Sequence, residues 1–128
     1  MADDEAWLLA DLAKSEARLL EWARLLPAPD AIVLLSIHLH RKRTSPWSMK
    51  LPVPTIEDVA PDASEADRKA AERLLSYAPD YGEQALRGIR YTRREPAERA
   101  MSDMRTRHPG FLDATYAAVA TYGCFLSR

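Results

Sequence analysis

The sequence predicts an all-α fold, a single-domain bundle of about five to six helices over residues 1–128, and three observations carry that reading. Apolar residues recur at helical spacing through most of the chain. Nine prolines and a series of capping residues cut the pattern into segments of helical length. The one stretch that alternates like a strand has no second strand to pair with. Composition agrees: 128 residues, 47% hydrophobic and 29% charged, is ordinary globular usage.

The first helix is expected over residues 4–26. Asp3 or Asp4 caps it, and Asp3, Asp4 and Glu5 suit the positive end of its dipole. Leu8, Leu12, Ser15, Leu19, Trp22 and Leu26 form a heptad-like stripe broken once by Ser15, and Pro27 and Pro29 end the helix. A second helix, capped by Asp30, is expected from Ala31 to Arg43; it is apolar nearly all round and so reads as the buried central one. Residues 44–63 hold Pro46, Pro52, Pro54 and Pro61 around Trp47, Met49, Leu51 and Val53, which predicts an ordered, proline-rich connection with one helical turn at Thr55.

Residues 64–128 read as a four-helix region behind the N-terminal pair of 1–43. Ser64 with Asp67 makes a capping box for a helix to Tyr77. Pro79 and Asp80 break it, and Asp80 restarts a helix through Arg93 with Tyr81, Leu86 and Ile89 inward. Glu95–Pro96 opens the next, with Met101 and Met104 inward. His108-Pro109-Gly110 is a stop, and Phe111–Leu126 is the last helix, with Leu112, Tyr116, Val119 and Leu126 inward.

Net charge is −1, which excludes a globally basic nucleic-acid binder and a globally acidic DNA mimic. The total hides an acidic front and a basic back. Arg87, Arg90, Arg93, Arg94, Arg99, Arg105 and Arg107 crowd into one stretch with only Glu95, Glu98 and Asp103 against them. On a helix running through Arg93 and beyond, Arg87, Arg90 and Arg94 would share one face. Guanidinium forks suit carboxylate and phosphate oxygens, so this basic face is the candidate partner-binding surface. Trp7, off the leucine stripe, and Trp47, in the connection, are candidate interface anchors. The helix–turn–helix proportions around Ala78-Pro79-Asp80 are a weak pointer to DNA.

No metal site and no cofactor are expected. His38 and His40 would diverge by about 200° on a helix, and His108 and Cys124 have no spacing that joins them. Cys124, His108 and Asp113 name the residue types of a thiol triad, but Cys124 sits in an apolar helix where cysteine is usually a small hydrophobe. The acidic start, the lone cysteine and the lack of a long apolar run read as cytoplasmic, with no membrane partner. Alanine, leucine and arginine usage resembles bacterial or phage proteins.

The favoured reading is a small non-enzymatic binding protein: a regulator, adaptor or inhibitor that meets a protein partner through its charged surface. A DNA- or RNA-binding regulator using Arg87–Arg107 is the second reading. A small enzyme dependent on the histidines or Cys124 is the third. A homodimer through the leucine stripe of the first helix is narrowly preferred to a monomer.

Overall fold

A computed structural model describes residues 2–90 and 92–127, with side chains throughout except at 2, 3, 89 and 90. The chain is all-α: among the described residues there are six helices longer than one turn and no strand. It forms two compact units, Met1–Ala63 and Ser64–Arg128.

The first unit packs α1 (Ala2–Ala23), α2 (Ala28–Arg43), a 3-10 turn (Ser48–Lys50) and the one-turn α3 (Ile56–Val59). Helix α1 stops at Ala23, three residues short of the expected end, and Arg24–Leu26 form the turn before the prolines. Its inner face runs through Leu8, Leu9, Leu12, Glu16, Leu19, Leu20 and Ala23. Glu16, not Ser15, is therefore the polar member of that face, and Trp22 lies outside it. Helix α2 starts at Ala28 with Pro29 in its first turn, so Asp30 is the third helical residue and not the cap. Proline suits that place because a first-turn N–H has no partner to lose. Ala31 to Leu35 and Ile37 are all buried, and α2 is the central helix of its unit. The connection is ordered as expected, with Leu51 extended and Thr55 and Asp58 forming a capping box on α3.

The second unit contains α4 (Glu65–Ser76), α5 (Ala78–Arg90), α6 (Glu95–Arg107) and α7 (Asp113–Leu126). Ser64 caps α4 through Asp67, as read from the sequence. The break before α5 is not at Pro79. Tyr77 is the single joint, and Pro79 lies inside the first turn of α5. A one-residue joint is tighter than the turn of a DNA-reading helix–turn–helix, so that expectation is corrected. Helix α5 packs on both α6 and α7. At its crossing with α7, Gly82 and Gly123 face each other with their backbones in contact: a Cβ built on Gly82 would lie 2.0 Å from the Gly123 carbonyl oxygen. The core is Leu74, Tyr77, Tyr81, Ala85, Ala100, Met104, Tyr116 and Val119. Leu112 and Leu126, expected inward, are exposed at the two ends of α7.

Candidate functional site

Helix α5 ends three residues earlier than its pattern predicts, and this reshapes the arginine cluster. Thr92 takes a left-handed backbone (φ 54°), and the Arg93 N–H donates to the Gly88 carbonyl at 2.7 Å. This is the helix-ending arrangement in which a left-handed residue lets the next N–H reach back to an orphan carbonyl. Arg93 and Arg94 consequently lie in the turn before α6, and no single helix face carries Arg87, Arg90 and Arg94. The Arg90 side chain lies outside the described residues.

The remaining arginines sort by what they touch. Arg87 pairs with Glu83 one turn back at 2.9 Å, and Arg107 pairs with Asp103 at 3.1 Å. Arg105 binds Asp113 at 2.7 Å and stacks 4.9 Å from the Tyr116 ring centroid, so it is committed to α7. Arg93, Arg94 and Arg99 are exposed and make no ion pair with another described residue.

A groove runs between α5 and α6. Asp80, Gln84 and Arg87 line it from α5 at steps of four and three; Pro96, Arg99, Asp103 and Arg107 line it from α6 at steps of three, four and four. Both series are what one helix face presents. At one end, Gln84, Arg87, Pro96, Arg99 and Asp103 enclose about 520 Å³. At the other, about 220 Å³ lies beside Tyr77, Asp80, Asp103 and Arg107.

The floor of the groove is fixed by Tyr77. Its phenol is buried and donates to the Asp103 carboxylate at 2.6 Å, while its ring meets His108 edge-on. Burial, then the hydrogen bond to the Asp103 carboxylate, pushes the Tyr77 hydroxyl up to about 12, although Gln84 and Arg107 pull the other way. An unfolded tyrosine titrates near 10, so the folded state holds this proton more tightly. The resulting stability is fully present below pH 10 and is lost as pH rises from there through about 12. Tyr77→Phe is expected to cost about 1 kcal/mol near neutral pH by removing the phenol's bond to Asp103. It should also flatten the alkaline loss, which denaturant melts across pH 9–12 would read.

The sequence did not point to this floor. Tyr77 and Asp103 are 26 residues apart, and the only hint was that Asp103 is one of three acids in the arginine run.

The first unit holds a second polar cluster. Glu16 accepts from His38 Nε2 at 2.6 Å and from Lys42 Nζ at 2.7 Å, and Lys42 also donates to the Pro52 carbonyl at 3.0 Å. The Lys42 side chain is 1% exposed. Burial pushes the Glu16 carboxyl up, but the hydrogen bonds and charges of Lys42 and His38 outweigh it and hold it below the ordinary value. The cluster is a structural tie between α1 and α2, and it engages His38. Of the stripe read as a dimer seam, Leu8, Leu12, Leu19 and Leu26 are part-buried within the first unit, while Ser15 and Trp22 are exposed. Trp7 is 70% exposed, and Trp47 is 40% exposed with the Lys50 ammonium 4.6 Å from its ring centroid. Lys50 also pairs with Glu5.

The thiol triad does not assemble. Asp113 is held by Arg105 and His108 packs on Tyr77, while half-buried Cys124 lies near Tyr81, whose hydroxyl is pushed up by burial and then by Cys124. Among the described residues, no three His, Cys, Asp or Glu side chains converge as a metal site, and no helix is long and apolar enough to cross a membrane.

Comparison of the chain with protein-family models, with curated proteins and with solved structures finds no match in any of the three.

Proposed function

We propose that the chain is a non-enzymatic cytosolic binding protein, a regulator, adaptor or inhibitor, that holds a protein partner on the arginine surface formed by α5, α6 and the turn between them. The observation that carries this reading is the exposure of Arg93, Arg94 and Arg99 without ion pairs to described residues, beside a groove. Guanidinium groups in this state offer bidentate bonds to carboxylates. The neighbouring Arg87–Glu83 pair is two-thirds exposed on both sides, and such surface pairs are worth about 0–1 kcal/mol, so a partner's carboxylate displaces them at little cost.

A protein fits better than a nucleic acid because Asp80, Glu83, Glu95 and Glu98 lie among the same arginines. A phosphate backbone would meet those carboxylates at every register. The test is capture from native lysate by the full chain and by Arg93→Gln/Arg94→Gln/Arg99→Gln, with bound protein and nucleic acid both identified. A protein retained by the first and lost by the second, with no shift of random DNA or RNA, is the expected result. Equal capture by both chains overturns the reading. A bound nucleic acid whose salt slope falls in the variant replaces it with the nucleic-acid reading.

A further inference from the structure

We infer that the α5–α6 groove is a bipolar docking cleft that takes a partner segment carrying a carboxylate and a cationic side chain about 12 Å apart. This rests on the partner-binding reading above and specifies its ligand chemistry.

The charges along the groove are ordered. Asp103 is balanced where it stands, since one oxygen accepts the Tyr77 hydroxyl and the other is ion-paired with the Arg107 guanidinium. Arg87 is balanced by Glu83. Two lining charges are left over. Arg99 belongs to the wider hollow at the Pro96 end, and Asp80 to the narrower hollow at the Tyr77 end. Both are exposed, and neither makes an ion pair with another described residue. Arg99, which lines only the wider hollow, and Arg107, which lines only the narrower one beside Asp80, are eight residues apart on α6. That separation is about 12 Å at the helical rise of about 1.5 Å per residue.

Charge complementarity therefore selects one kind of occupant. Its carboxylate sits at the Arg99 end, and its cation sits at the Asp80 end. About two helical turns, or four residues of extended chain at about 3.3 Å each, span that distance. A uniformly acidic segment would set like charge against Asp80, and like-charge juxtaposition is what suppresses wrong partners. Tyr77 and Asp103, locked together beneath, keep the floor rigid, which limits the entropy lost on binding.

The test is selection of displayed random peptides on the full chain, on Arg99→Glu, on Asp80→Lys and on Arg105→Gln. All three side chains are exposed, and unchanged far-ultraviolet circular dichroism and melting confirm each fold. Peptides enriched on the natural sequence should carry an acid and a base about two helical turns apart. Each should bind about tenfold more weakly to Arg99→Glu and to Asp80→Lys, and equally to Arg105→Gln, whose side chain is committed to α7. Enrichment of uniformly acidic peptides, undiminished binding to Arg99→Glu, or no enrichment at all overturns the cleft. In those cases a lysate partner still lost by the Arg93/Arg94/Arg99 variant leaves the surface reading standing without it. Loss of both results removes both.

Discussion

Gly82→Ala is expected to destabilise the second unit by about 3 kcal/mol or more, although helix propensity alone predicts a gain of about 1 kcal/mol for that exchange. The added Cβ would stand 2.0 Å from the Gly123 carbonyl oxygen, 2.4 Å from its carbon and 2.5 Å from the Ser127 hydroxyl oxygen. Two of these are backbone atoms and cannot rotate away. Helices α5 and α7 must separate, and the cost spreads to Tyr81, Ala85, Val119 and Ala120, which are buried in the same region of the unit. Gly123→Ala should behave alike, since its Cβ would lie 2.2 Å from the Ala78 carbonyl oxygen. Gly110→Ala is the contrast. Nothing lies within 4 Å of that Cβ, and only the φ of +97° is at stake, so a penalty of about 1–2 kcal/mol is expected. Denaturant melts that rank Gly110→Ala below both helix variants would bear out the close crossing. A stabilised Gly82→Ala would show that the two helices do not touch there.

Glu16→Leu is expected to cost about 3 kcal/mol in the first unit, because it strands Lys42. Removing one member of a buried pair leaves an uncompensated charge, and that usually costs about 3–5 kcal/mol; the 14% exposure of Glu16 places this pair at the lower end. The double variant Glu16→Leu/Lys42→Met should recover most of the loss, since two apolar side chains fill the volume without a charge to solvate. His38, left without its carboxylate, is half-buried and retains access to water. The same tie has a pH signature. The Glu16 carboxyl is held below its ordinary 4.5, so the stability it contributes is present above that value. It is lost as pH falls from 4.5 through the lower folded-state value. The stability lost as pH falls below 4.5 should therefore be smaller in Lys42→Met, which is less stable at neutral pH but lacks the main group holding Glu16 ionised. Identical acid transitions in the two chains would show that Lys42 does not support that carboxylate.

The helices themselves were legible. The Ser64–Asp67 capping box and the prolines that end α1 act within one or two turns, so sequence spacing is enough to read them. The apolar run of α2 suits strand or helix alike, and helix is preferred because a lone strand has no ladder to join. The crowding of arginines between Arg87 and Arg107 also followed from position along the chain, whereas the exposure of Trp7 did not.

Element ends were less legible, because they depend on which local competitor wins. Thr92, a β-branched residue, adopts the left-handed turn that stops α5, against its intrinsic preference. That stop moves Arg93 and Arg94 off the expected face. Pro79 was read as a breaker and serves as a first-turn residue, since its missing N–H matters only deeper in a helix.

Tertiary structure alone decided the rest. The Tyr77–Asp103 bond, the Glu16–Lys42 tie and the Gly82–Gly123 contact join residues 26, 26 and 41 positions apart. No local periodicity encodes which distant residue fills a given space; that is settled when packed helices bring particular faces together. For the same reason the sequence by itself determined that this protein is helical and carries a basic stretch. Only the packing of α5 on α6 turned that stretch into a groove with a positive end and a negative end. Charge sign is a property of residues, whereas charge order along a cleft is a property of the two helices that form it.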